Sequence, residues 1–392
     1  MPGSPFAAGT GPTSIALAST VNTPVTPFPQ LSVQFAYVVN NGSASVSAYS
    51  VGAASGALTS LLGSPFAVGS GPVSLTLFSP GTGQILGVGA NFAYVVNHDS
   101  NNVSAFTVDS GNGTLAPLAG SPFAAGTGPV SLTISGNFAY VVDNGSNGVS
   151  VYAVNSTTGA LTRVAGSPFA TGASPVGLTT FETTGGSTFV YVANSASGNV
   201  SAYALDSTTG ALTAVVGSPF PAGTKPIAVT VANGFAYVLN QGSNDISGYT
   251  IDASTGALTA LAGSPFAVGA NPVQLIVYNG FAFAVNAGGN SVSVFAVGSS
   301  GTLTPLAQSP FATGTGPTGL TAIISGQQVT PQGHQYFALV PNGASNDVSA
   351  YTLDAPGGML DGILSPVSGS PFAAGTNPDS VGTITTIVTV HS

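Results

Sequence analysis

The chain has 392 residues, of which 43% are hydrophobic and 3% charged, against about a quarter charged in an ordinary soluble protein. Its only cations besides histidine, Arg163 and Lys225, stand against eleven carboxylates for a net charge of −9, which excludes nucleic acid as a partner because nothing can neutralise phosphates. The apolar content excludes disorder, the absence of cysteine excludes disulfides and thiolate metal sites, and no apolar run reaches the length of a membrane span.

The rest of the sequence is a repeat, and the repeat predicts the fold. Ser-Pro-Phe recurs at Ser4, Ser64, Ser121, Ser167, Ser218, Ser264, Ser309 and Ser370, which makes eight markers and seven intervals. One copy of a second signature lies in each interval, starting at Phe35, Phe92, Phe138, Phe189, Phe235, Phe281 and Phe337 and reading FAYVVN in its commonest form. The third unit shows the elements in order: PVSLTI from Pro129, NFAYVVD from Asn137, GVSVYAV from Gly148 and ALTRVAGSPFA from Ala160. Alternation and β-branched or aromatic residues make each run a strand, and none has helical length.

The turns predict hairpins. Asn-Gly at ANGF (from Ala232) and YNGF (from Tyr278) suits a type I′ turn between strands one and two. Asp-initiated turns closing on Gly, DSTTGAL from Asp206 and DASTGAL from Asp252, join strands three and four. Four-stranded up-and-down sheets without covering helices imply a seven-bladed β-propeller, all-β, with blades at about 12–66, 72–123, 129–169, 175–220, 226–266, 272–311 and 317–372 and a spare C-terminal strand over 378–392.

The run YVVNNGSASVSAYSVGAASGALTSLLGSPFAVGSGPVSLTL from Tyr37 resembles the YVTN-type propeller repeat. With GSPFA-x-GTGP between blades, it is similar to the seven-bladed lactonase-like family that includes the propeller-type 6-phosphogluconolactonases. The resemblance covers nearly the whole chain and implies the propeller fold and, as an activity, lactone hydrolysis.

Candidates for that chemistry are few. Lactone hydrolysis needs an activated water and a stabilised oxyanion, supplied by His, Glu or Asp together with Arg or Lys. His98 follows the second signature beside Asp99, a pair able to orient an imidazole as a base; the plain alternative is a solvated loop pair. Lys225 just precedes an inner strand, a place where it can meet a ligand in the central channel, whereas Arg163 falls on an outer strand and reads as a lone solvated charge. His334 and His391 are scattered, Glu182 has no partner, and no metal-ligand spacing occurs, so neither metal nor cofactor is expected. Asp109, Asp206, Asp252 and Asp354, at the ends of third strands, and Asp245 and Asp347, in SND before third strands, read as turn carboxylates. Sequons occur at Asn41, Asn102, Asn112, Asn144, Asn155 and Asn199. Long loops between strands one and two in units one, two and seven are expected to cluster on one face, as a binding surface or as neutral drift.

The termini pose a further problem, because Pro12 and Pro378 each announce a first strand for one place. Ile15 and Leu17 fit the alternation of the other first strands better than Val381 and Thr383, so the C-terminal copy is the spare. Its apolar, charge-free strand, with Ile384, Ile387, Val388 and Val390, calls for a pairing partner in its own chain or the next. The start MPGSPFAAG carries no secretory signal, yet the Lys-poor, Asn/Ser/Thr-rich composition suits an extracellular or cell-surface protein. The expectation is therefore an extracellular structural or interaction module whose partner is itself, assembling into filaments by exchange of terminal strands. A lactonase-like hydrolase is the alternative, and an adhesin binding a glycan or small molecule comes third.

Overall fold

The computed structural model describes residues 7–19, 34–52, 57–80, 91–324, 336–353, 362–374 and 378. They form an all-β, seven-bladed propeller of seven sheets, with no helix among the described residues. Two compact units make up the chain, Met1–Leu178 with Leu205–Thr213, and Thr179–Ala204 with Ala214–Ser392.

Each sheet has four antiparallel strands in chain order. In blade three they are Pro129–Ser135, Phe138–Asp143, Gly148–Val154 and Leu161–Arg163. The register steps by one residue just after Pro129, as it does after Pro12, Pro72, Pro226 and Pro272, because proline has no N–H to give the ladder. The Asn-Gly corners are as expected: φ is +51° at Asn233 and +80° at Gly234, and +47° at Asn279 and +83° at Gly280. At the opposite corner the Asp206 carboxylate accepts the Thr208 and Thr209 amides at 2.9 and 3.0 Å, and Asp252 does the same for Ser254 and Thr255. These amides hold Asp206 below the usual carboxylate range; at Asp252 the Ser254 hydroxyl joins them and lowers the group to about 2.

The run expected as a single fourth strand is two pieces. In blade three Leu161–Arg163 pairs with one end of the third strand, and Phe169–Ala170 forms a fifth, two-residue strand on the other end, opposite Val149 and Gly148. Between them the chain turns at Gly166, where φ is +83°, and passes through a cis Ser167–Pro168 bond. The Ser167 hydroxyl then accepts the Val151 amide at 2.8 Å. The same serine bond recurs from Ala48 to Ser64, Ala105 to Ser121, Ala202 to Ser218, Gly248 to Ser264, Val294 to Ser309 and Ala350 to Ser370, so the Ser-Pro-Phe marker is the device that re-pins the outer edge.

Neighbouring blades are joined by the tyrosine of the second signature. Tyr37, Tyr94, Tyr191 and Tyr237 are fully buried, and each hydroxyl donates to a turn glycine of the following blade: Gly113, Gly159, Gly256 and Gly301, at 2.7 to 2.9 Å. Burial pushes their phenols up, so they stay donors. The turn residue has to be glycine: φ is +70° at Gly159, and a Cβ there would stand 2.4 Å from the Phe92 ring.

At the start of the chain Pro12–Ser19 pairs with Gln34–Asn40 as the first strand of blade one, with Ile15 opposite Val38 and Leu17 opposite Ala36. Thr318 Oγ1 donates to the Pro378 carbonyl at 3.0 Å, as Thr13 Oγ1 donates to that of Pro72, so Pro378 stands to blade seven as Pro72 stands to blade one. In blade seven Pro317 makes an isolated bridge to Asn342 before the strand resumes at Thr321–Ile324.

Tyr94→Phe leaves the Gly159 carbonyl unpaired and should cost about 1–2 kcal/mol, whereas Tyr140→Phe, whose hydroxyl has no protein partner, should be neutral within about 0.5 kcal/mol. Paired denaturant titrations would show it, and equal losses would contradict the staple.

Candidate active site

At the end of each blade where the second strand hands over to the third, the signature closes on a fully buried polar residue: Asn40, Asn97, Asp143, Asn194, Asn240, Asn286 or Asn342. Six are asparagines, and each side-chain amide donates to two acceptors on the third strand, as Asn40 does to Ser45 and Ser47 and Asn97 to Asn102 and Ser104. In blades five and seven one acceptor is a carboxylate, Asp245 or Asp347, each 2.6 Å from the amide nitrogen. These two aspartates thus serve the buried asparagine rather than a turn amide alone.

Blade three departs from the others. Asp143 replaces asparagine; its Oδ1 accepts the Gly126 amide at 3.0 Å and its Oδ2 the Ser150 hydroxyl at 2.6 Å. The Ser150 oxygen in turn accepts from Arg163 at 2.8 Å, and the guanidinium lies 5.9 Å from the centre of the Tyr152 ring. Arg163 is therefore not the lone solvated charge its strand position suggested, since it is bound through Ser150 to a buried carboxylate. Burial pushes Asp143 up to about 6 against the pull of Ser150, Gly126 and Arg163. Asp143 was not singled out from the sequence, although a signal existed: the unit whose signature ends in Asp is also the unit that holds the chain's one arginine.

The loop after this residue carries the other departure. In blades one, three and five it opens with an amide, Asn41, Asn144 or Gln241, that donates to the first proline carbonyl of the next blade, and then a glycine follows. Blade two has His98 and Asp99 there instead. His98 Nδ1 is 2.7 Å from Asp99 Oδ1, both side chains are exposed, and the Nε2 edge faces Gly128, where a Cβ would stand 3.3 Å away. The structure thus joins two of the three predicted catalytic candidates in one hydrogen-bonded pair, with the Nε2 edge turned to Gly128.

Lys225, the third, lies in the other unit. It is exposed with φ +54°, in the place before the first proline that Gly11, Gly71, Gly128, Ser174, Asn271 and Gly316 hold elsewhere, all with positive φ. In every blade but the fourth this residue and the loop stand back to back, and at least one of the two is a glycine. Opposite Asp99 is Gly71, whose Cβ would fall 2.5 Å from the carboxylate carbon; opposite Lys225 is Gly242, and opposite Asn271 is Gly288, each with a Cβ 3.1 Å from its neighbour's.

At the other end of the blades, a cleft of about 600 Å³ opens beside Thr76, Phe78, Leu132, Ile134, Asn137 and Ser156, and its lining offers no acid or base. Among the described residues no three His, Cys, Asp or Glu side chains converge as a metal site. Glu182 is exposed at the end of the first strand of blade four. His334, His391, Asp354 and the long loops of units one, two and seven fall outside the described residues, so the expected loop cluster does as well.

The family model of the lactonase, 7-bladed β-propeller, matches residues 29–231, just over half of the chain and the stretch that holds His98, Asp99 and Lys225. The chain belongs to this lactonase family. Among solved structures, the lactonase fold here is similar to a Bacteroides uniformis protein provisionally assigned as a 6-phosphogluconolactonase (TM-score 0.62, 16% identity, covering 87% of this chain and 96% of that one). A Bacteroides fragilis protein with the same provisional assignment is also similar (0.61, 17%, 86% and 93%), as is the periplasmic gluconolactonase of Pseudomonas aeruginosa (0.56, 19%, 83% and 93%). At these identities the likeness is one of fold. No curated protein matches the chain.

Membership in a lactonase family overturns the expectation of a self-associating extracellular module and favours the alternative, a lactonase-like hydrolase. Ile15 and Leu17, named with the C-terminal residues for terminal-strand exchange, pair in the first sheet of their own chain, as their alternation implies. Val381, Ile384, Ile387, Val388 and Val390 lie outside the described residues.

Because folding raises the carboxyl of Asp143, its contribution to stability is full below about pH 4 and is lost as pH rises through about 6. Asp143→Asn, which restores the residue of the sister blades, should therefore stabilise the protein by on the order of 2 kcal/mol at pH 8 and hardly at all at pH 4. Melting temperatures at the two pH values test this, and a gain independent of pH would contradict it.

Proposed function

We propose that the protein is a lactone hydrolase in which His98 is the general base. Family membership supports the reaction class, and the observation that carries the residue assignment is the 2.7 Å contact between His98 and Asp99, at the place where blades one, three and five hold an amide followed by glycine.

With Nδ1–H donating a hydrogen bond to Asp99, Nε2 is the basic nitrogen. It takes a proton from water as the water oxygen bonds to the lactone carbonyl carbon. The tetrahedral intermediate then collapses, the ring C–O bond breaks, and the imidazolium returns the proton to the departing alkoxide, leaving the open hydroxy acid. Asp99 stabilises the imidazolium formed in between and fixes the tautomer, the part played by the third member of a nucleophile–base–carboxylate triad. Lys225 is exposed in the equivalent region of another blade, but no role in this step is assigned to it.

Background-corrected hydrolysis of a panel of five- and six-membered lactones tests the reading. His98→Ala should lower kcat/KM by about 100-fold or more, and Asp99→Asn by about tenfold. Unchanged rates in both variants would remove the dyad from the mechanism, and a wild-type protein inert on every lactone would remove the reaction.

A further inference from the structure

We infer that the site takes an uncharged, polyhydroxylated lactone and discriminates against a phosphorylated one. This rests on the hydrolase reading, and the argument is one of charge. A phosphate monoester carries close to two negative charges at neutral pH and is ordinarily held by a guanidinium fork, by lysines or by the amides at a helix N-terminus. The described residues contain no helix, and the whole chain holds only two such cations.

Neither cation is a good phosphate clamp. Arg163 already donates to Ser150, whose hydroxyl is given to Asp143, and its plane lies over Tyr152; drawing it to a substrate would leave a buried carboxyl without its counter-charge. The compact unit that holds His98 has Arg163 as its one cation; of its four carboxylates Asp99 and Asp143 lie at the same end of the blades as His98, and Asp109 and Asp206 at the other. One of the four is in contact with the imidazole itself. Lys225 supplies a single ammonium, and its side chain makes no ion pair among the described residues. A dianion approaching His98 therefore meets a negative field with no fork to offset it.

The groups beside the imidazole are neutral donors and acceptors. Asn101 is exposed, and its Oδ1 accepts the amide of Gly128, the residue under Nε2. Exposed Thr127 and Ser146 sit on the two loops that flank Gly128, with Ser146 Oγ accepting the Thr127 amide at 3.0 Å. Hydroxyls and an amide of this kind suit the hydroxyls of a sugar lactone, whose hydrogen bonds need no net charge.

The experiment compares the full chain on glucono-1,5-lactone and on its 6-phosphate at two ionic strengths. The expected result is a kcat/KM at least tenfold higher for the neutral lactone at low salt, with the phosphorylated rate rising several-fold as salt screens the repulsion while the neutral rate holds. Ser70→Lys, which adds a cation on an exposed residue whose carbonyl accepts the Asp99 amide, should shift the ratio several-fold towards the phosphorylated substrate while the rate on the neutral lactone reports any effect on the dyad. Equal or faster hydrolysis of the phosphate ester overturns the inference while leaving the hydrolase reading intact. Hydrolysis of neither overturns both.

Discussion

The propeller depends on a buried side-chain amide at the end of every second strand. At that point the second strand ends and the third begins, and buried polar side chains of the third strand lie beside it. In six blades the asparagine donates to two side-chain oxygens of the third strand, as Asn286 does to Ser291 and Ser293. In blade one Gly9 also donates to Asn40 Oδ1 at 3.1 Å. What the position selects for is the pair of N–H donors: the side-chain oxygens of Asn97, Asn194, Asn240, Asn286 and Asn342 are buried without a partner, while both amide protons are used. Asp143 is the exception, and it exists only with a hydroxyl, an amide and a guanidinium arranged around it.

A second set of amides works between blades. Asparagines with positive φ just before third strands accept the amide of the residue preceding the next blade's first proline: Asn101 from Gly128, Asn147 from Ser174, Asn244 from Asn271 and Asn290 from Gly316. Together with the tyrosine hydroxyls, these bonds replace the ion pairs that a chain with 3% charged residues cannot form. A polar lattice of neutral groups keeps its strength in salt and across pH, which links the odd composition to the way the blades are held.

Much of this architecture was legible in the sequence because it is periodic. Strand alternation, Asn-Gly corners and Asp-initiated turns each recur often enough for the repeat to average out local ambiguity, and the turns are where the residues placed them. The two-residue fifth strand was not legible, because Phe169–Ala170 is too short to alternate and its pairing is set by the Ser167 hydroxyl, a tertiary bond. The site was legible only as a list of rare residues. His98 and Asp99 stood out by type, but their meaning comes from what the sister blades place there. Arg163 was misread because its partner lies thirteen residues away in sequence, across the sheet and through a serine. The reading of the terminal strands as an assembly device comes from the repeat count and from β-propensity, and neither says anything of chemistry. The family match bears on chemistry directly, and it points to the alternative.

The back-to-back approach of the two loops, with Gly71 behind Asp99 and Gly242 behind Lys225, has a consequence for how such a protein acquires new chemistry. In these blades there is room for one side chain between the loops, and it can be supplied from either. A functional group can thus be installed on one blade by a single substitution on one loop, provided the other keeps its glycine, and neither the sheet below nor the blades alongside need change. Blades so built are independent sockets on a common frame, and a histidine–aspartate pair can arise in one of them while the amide lattice in the others is left untouched.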